Sequence, residues 1–399
     1  MNSRALIKYS FSGFLMLLIL ALTVPSTVEY GVAVVLGIAM LYTTNNLKIK
    51  FSWGFLLAVI FSISYFVLDT FVGYSAIRAI AYGVTISALY LYGLNWGNRL
   101  SEDDYEKYIL FSIKVVYYGL SFYIIGCMIY SFLRGFTVSM LSRDPYQMWD
   151  GTIGNSTHFG TLSAVPLAIA MLDMFCLKAS KGKALSVVIF VGVFVANLMM
   201  ANRIVFIFAA AFLIVAAFLR YRNEGFSRQL KFLIGLAFFI LIVFTAYDVN
   251  LLNIKSALAQ LPVFRRIQTL DAIGYEDPRL ERQIYVLQHF FDYMHGGGHY
   301  NALVGEVHNV WLDVYDYAGL LPFMAFIVFS VITVMQAISR VKSGIMARAS
   351  SYLAMILFAF MLSFAEEPVM RTCESYFTLF FFMSGVLCSA CRKSKSYFR

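Results

Sequence analysis

The ionisable residues that punctuate the apolar runs of this sequence are its first candidates for chemistry. Arg203 follows Met200, Ala201 and Asn202 and precedes the run Ile204–Leu219, with almost no loop around it. A charge at a membrane edge is costly and marks a functional position by default. Arg203 is either a fixed cation facing a polar cavity or an interfacial arginine paired with lipid phosphate. Arg279 and Arg282 stand about one helical turn apart, beside Glu281. Two guanidinium groups so placed can hold a diphosphate through paired hydrogen bonds. They also fit a solvated basic face.

His308 and Asn309 come directly before Val310, Trp311 and Leu312. A lone histidine is ordinarily structural. At the positive end of a helix dipole, however, the neutral imidazole is favoured and can act as a base. Asn309 can cap the same helix. Glu366 and Glu367 lie beside Pro368 and Arg371, either orienting His308 or forming an ion pair in a short hairpin. Asp150, Asn155 and His158 flank another loop, where helix capping is the plain reading and a substrate contact through Asn155 the functional one.

The elements that must position these residues are membrane helices. Of 399 residues, 60% are apolar and 13% charged, about half the usual charged share of a soluble domain. A bilayer span needs about 20 mostly apolar residues. Spans are expected near 8–25, 29–43, 52–68, 77–94, 109–133, 156–176, 184–200, 204–219, 232–249, 311–337, 350–365 and 372–391. The expected fold is all-α, one transmembrane domain of about twelve helices over residues 1–399. Phe11–Val24 also fits the apolar part of a signal peptide, but no A-x-A site follows it, so a retained first span is expected.

With the N-terminus in the cytoplasm, 20 of the 31 Lys and Arg fall in cytoplasmic segments and 10 outside, with Lys114 inside a span. That asymmetry orients both termini inward. The net charge of +9 is then mostly a topology signal, and its scatter over short loops argues against nucleic acid as a partner. Cys388 and Cys391 form a C-x-x-C at the inner end of the last span, with no second pair to complete a zinc set and no outer partner for Cys373.

Two outer loops are long: Arg134–Asn155, and a periplasmic loop over 250–309 between spans nine and ten. In the second, Asp277 can cap and Pro278 suits a first turn, with Arg279–Met294 continuing unbroken to Gly296, Gly297 and Gly298. This helix is expected to lie on the membrane surface. Arg203, Arg279, Arg282, His308 and Glu366 all fall on the outer side of this topology. No P-loop, D-x-D or dinucleotide fingerprint is present. Chemistry facing outward has no nucleotide donor, so a glycosyl donor there must arrive on a lipid.

Four stretches resemble the O-antigen ligase and O-antigen polymerase superfamily of Gram-negative inner membranes. Gly151–Ala168 (GTIGNSTHFGTLSAVPLA) resembles the family's Gly/Asn-rich entry to a middle span. Ala201-Asn202-Arg203 resembles its short turn, with Asn202 where Thr or Ser is more usual. Pro278–Gly298 resembles its R-L loop helix ending in Gly. Val307–Phe323 (VHNVWLDVYDYAGLLPF) resembles its H-N…G segment and is the most specific of the four. The resemblance implies a GT-C-like architecture and an undecaprenyl-diphosphate-linked glycan donor, with no metal or cofactor. It implies His308 as the catalytic histidine, Arg203 as the turn arginine and Arg279 as the loop arginine, with Arg282 the alternative.

Two versions of one chemistry follow. A polymerase extends the chain on the next lipid-linked repeat, with a chain-length regulator protein as a possible partner. A ligase moves the chain to lipid A–core. The aromatic, moderately basic loops favour the polymerase, since a ligase must grip a strongly phosphorylated core. A polysaccharide transporter or flippase is the reading of a different class. Such proteins show internal repeats and paired broken helices, and neither is evident here.

Overall fold

A computed structural model describes residues 52–72, 76–99, 102–135, 146–147, 153–154, 156–176, 181–222, 224, 226–272, 278–343, 347–366 and 374–396. Apart from β1 (Tyr146–Gln147) and β2 (Ile153–Gly154), an antiparallel pair with Tyr146 opposite Gly154, the regular elements among these residues are helices. The expected spans at 8–25 and 29–43 lie outside the described residues.

The other expected spans coincide with α1 (Trp53–Val72), α2 (Ala76–Arg99), α3 (Glu102–Leu133), α4 (Ser156–Cys176), α5 (Lys181–Met199), α6 (Ile204–Tyr221) and α7 (Phe226–Asp248), and with further helices below. Among the described residues five stretches are long and apolar enough to cross a membrane: Tyr105–Leu133, Thr157–Cys176, Gly182–Met199, Ile204–Tyr221 and Leu320–Ser343. Val188, Ile207, Ile214 and Phe218 are exposed on such helices. Apolar surface on this scale is stable only against lipid or protein. The chain is therefore a membrane-embedded helical protein.

Residues 250–309 hold more structure than the single helix expected. Short helices α8 (Ile254–Ala259) and α9 (Pro262–Ala272) precede α10 (Pro278–Gln288) and α11 (His299–Val304). α10 stops at Gln288 rather than running to Met294. The His289 carbonyl instead accepts from the buried Tyr300 hydroxyl and from the Asp292 amide, which ends the helical ladder. The span expected over 311–337 is also two helices, α12 (Val310–Ala318) and α13 (Leu320–Ser343), parted at Gly319. Then follow α14 (Ala347–Phe364) and α15 (Glu374–Ser396).

The chain forms two compact units, Met1–Leu120 with Asp277–Arg399, and Ser121–Glu276. In the first, α2 and α15 meet backbone to backbone at Gly93 and Gly385. A Cβ on Gly93 would collide with the Phe382 carbonyl, and one on Gly385 with that of Tyr90. Small residues give membrane helices the close approach that dispersion needs. Around this contact Phe61, Phe326, Phe329, Phe377 and Phe381 pack ring on ring, with Phe329 and Phe381 centred 4.7 Å apart. In the second unit α4 is buried on nearly all sides, with α5 and α6 packed against it.

Candidate functional site

In the first unit α10 carries three site residues on the face turned to its neighbours. Pro278 fits its first turn because that position needs no amide donor. Arg279 Nη1 lies 3.2 Å from Glu366 Oε2, both side chains partly exposed. Arg282 Nη1 donates to the Glu306 carbonyl at 3.0 Å, and Gln283 Nε2 donates to that of Val307 at 3.3 Å. α10 thus grips the strand-like segment 305–307 by two consecutive side chains.

That segment delivers His308. Gly305 adopts φ +83, and a Cβ there would lie 3.3 Å from the Arg282 guanidinium. His308 itself is left-handed, φ +57, which is uncommon for a residue other than glycine and occurs where the surroundings impose it. Its Nε2 stands 4.0 Å from Glu306 Oε2, and its side chain is mostly buried. Asn309 then returns to extended backbone and caps α12, its Oδ1 accepting from the amides of Trp311 and Leu312 at 3.1 and 3.2 Å. The sequence reading of Asn309 as a cap is the observed geometry, and the imidazole stands one residue before the positive end of α12.

A clamp on the other side fixes this arrangement. The buried Asp316 carboxylate accepts from the amides of Tyr300 and Asn301 at 2.8 and 3.0 Å, opening α11. Gly297 and Gly298 donate to the carbonyls of Tyr317 and Asp316. Gly296 and Gly319, both left-handed, touch through their backbones: a Cβ on Gly296 would meet the Tyr317 carbonyl at 2.5 Å, and one on Gly319 that of Met294. Val286, Tyr300, Val307, Leu312 and Tyr315 form the apolar core beneath. Burial pushes the Tyr300 hydroxyl pKa well up, so it stays a donor to His289.

Glu366, read from sequence as an orienting carboxylate for His308 or a member of an ion pair, pairs with Arg279. Glu306 is a carboxylate placed near His308. Its only sequence signal was lying two residues away within an extended segment, which the helical spacing used to find Arg279 and Arg282 does not sample. Asn155 and Glu367 lie outside the described residues.

Arg203 belongs to the second unit, in the turn between α5 and α6. Asn202 is the hub of that turn. Its Nδ2 donates to Asn197 Oδ1 at 2.9 Å, and Asn197 Nδ2 donates to Ser163 Oγ at 2.8 Å on α4. A Cβ at Gly160 would overlap the Asn202 amide. Asn202 thus fills a buried hydrogen-bonding position. Ala201 is left-handed, φ 53, and its carbonyl accepts from Arg266 Nη1 at 3.0 Å. Arg266, not singled out from sequence, brings a second guanidinium to the Arg203 turn. Asp173, a carboxylate buried inside α4, also went unread; it accepts from Ser186 Oγ at 2.6 Å. Among the described residues no three His, Cys, Asp or Glu side chains gather into a metal-binding group.

The first unit therefore presents two kinds of group at one short segment: a mostly buried imidazole, and a guanidinium tied to the backbone two residues earlier. A guanidinium can hold an oxyanion through its remaining donors, and an imidazole can take a proton. No protein-family model and no curated protein matches the chain in sequence comparisons.

Proposed function

We propose that the chain is a membrane glycosyltransferase using an undecaprenyl-diphosphate-linked glycan as donor in O-antigen or related surface-polysaccharide synthesis, and that it acts as a polymerase. In this reading twelve spans place both termini in the cytoplasm of an inner membrane and residues 250–309 in the periplasm. The observation that carries it is the attachment of Arg282 to the segment that presents His308.

The acceptor sugar hydroxyl attacks the anomeric carbon while His308 takes its proton. The bond from that carbon to the diphosphate oxygen breaks, and the diphosphate leaves with the electron pair. The anomeric centre inverts. A fixed guanidinium beside the leaving oxygen stabilises charge that grows in the transition state, which is where an interaction accelerates a reaction. Arg282 is the guanidinium best placed for this, because Arg279 already faces the Glu366 carboxylate. Arg203, in the second unit, is a candidate substrate-binding cation through the family resemblance alone.

Deleting the gene and analysing surface polysaccharide tests the reading. A polymerase leaves a single repeat attached and removes long chains. Loss of all attached chains, with lipid-linked polymer accumulating, assigns a ligase instead. An unchanged polysaccharide profile overturns both.

A further inference from the structure

α10 has three faces where an ordinary surface helix has two. At 3.6 residues per turn, Arg279, Arg282, Val286 and, beyond the helix end, Phe290 share the face turned to the protein, where Val286 is fully buried. Glu281 and Gln288 share a second, exposed and polar. Leu280, Ile284 and Leu287 form a third row at i, i+4 and i+7, and Phe291 and Met294 prolong it through the following turn. This row is apolar and exposed: Leu280 is 65% exposed, Leu287 59% and Phe291 72%.

Its level relative to the bilayer is fixed by contacts within the same unit. The Met294 carbonyl accepts from the amide of Leu320 at 2.9 Å, and Leu320 is the first residue of the membrane span α13. The Phe290 ring stacks on Tyr315 at 4.3 Å and meets Phe323, three residues into that span, at 5.5 Å. Leu321, Met324 and Val328, in the first turns of α13, are exposed apolar residues of the lipid-facing surface. The apolar row of α10 is therefore tethered at the depth where α13 enters hydrocarbon, and continues that surface beyond the end of the span.

We infer that α10 is an in-plane membrane anchor. Its Leu280–Ile284–Leu287–Phe291 row sits in the acyl boundary of the bilayer, with the Glu281–Gln288 row in water. A helix with a polar face and a large apolar face at the interface binds in this way. The consequence for the site is mechanical: bilayer depth sets the height of Arg279 and Arg282, and through Arg282 that of the His308 segment. The inference does not rest on the transferase reading.

The test is collision accessibility of spin labels on the full chain in phosphatidylcholine vesicles, in a background whose five cysteines are replaced by serine or alanine. Leu287→Cys and Phe291→Cys report the apolar row, Glu281→Cys and Gln288→Cys the polar one. Labels at 287 and 291 are expected to collide with oxygen and be shielded from a water-soluble nickel chelate, and labels at 281 and 288 the reverse. Should a labelled variant fail to insert, Leu280→Cys reads the same row. Nickel accessibility at 287 and 291 equal to that at 288 overturns the inference. So does spin–spin broadening at 287 that disappears on dilution with unlabelled protein, which would make the row a contact with a second copy.

Discussion

Arg282 and Glu306 are joined side chain to backbone, with Nη1 of the arginine 3.0 Å from the glutamate carbonyl. The bond fastens α10 to the segment that turns left-handed at His308. It separates the two loop arginines in role, since Arg279 is engaged by a carboxylate and Arg282 by a neutral carbonyl. Arg282→Ala is expected to lower transfer by about 100-fold, the scale for losing one preorganised stabiliser of a developing anion. Arg282→Lys restores only part, because an ammonium lacks the planar fork. Rates in membranes from a complemented deletion strain, normalised to inserted protein, measure both.

Arg279 and Glu366 form a partly exposed pair, so their mutual stabilisation is small. A double-mutant cycle of Arg279→Ala and Glu366→Ala, read by thermal unfolding in detergent, is expected to give a coupling within about 1 kcal/mol. The activity cycle decides more. If Arg279 serves only to neutralise Glu366, Glu366→Ala recovers the transfer lost in Arg279→Ala. If Arg279 binds the leaving diphosphate, no second change recovers it.

Gly296 and Gly319 meet where the loop is stapled to the α12–α13 break. Alanine at either must hold a positive-φ backbone that favours glycine, and also displace a carbonyl only 2.5 Å from its Cβ. Gly135 is left-handed too, but nothing lies within 4 Å of its Cβ position. Gly135→Ala therefore isolates the backbone cost. Thermal unfolding in detergent should rank Gly296→Ala and Gly319→Ala well below it.

The turn that carries Arg203 rests on Asn202. Asn202→Ala strips a buried hydrogen bond from Asn197, at about 1–3 kcal/mol. Gly160→Ala is expected to destabilise comparably by overlapping the Asn202 amide. The two changes share that amide, so their effects combine to less than their sum. Additivity in the unfolding of the double variant would show that Gly160 and Asn202 act independently.

The apolar runs made the helices legible, because lipid-facing and core-facing sides of a membrane helix are both apolar and leave a continuous signal. They hid the α12–α13 break, because Tyr317, Ala318, Gly319 and Leu320 read as one apolar stretch, and the break comes from a backbone contact with Met294 and Gly296 about twenty residues away. Arg279, Arg282, His308 and Asn309 stood out because charged or capping residues at helix ends are scarce here. Glu306 and Arg266 did not. Their roles depend on an extended segment and a carbonyl, which leave no periodicity. Asp173 was concealed by an apolar stretch of its own helix, and its partner Ser186 lies on the next helix.

Orientation is testable without activity. Reporter fusions at Glu224 and Ala272 are expected to report cytoplasm and periplasm respectively, from the 20-to-10 division of Lys and Arg. A cytoplasmic signal at Ala272 would put 250–309 on the side where nucleotide donors are available and remove the argument for a lipid-linked one.

The central claim is that His308 takes the acceptor proton. Purified protein in lipid, supplied with undecaprenyl-diphosphate-linked repeat units as donor and acceptor, measures it directly. His308→Ala is expected to bind donor as the parent protein does and to transfer it slower by about 100-fold or more, the contribution of a positioned general base. Transfer by His308→Ala at the parent rate would contradict the account.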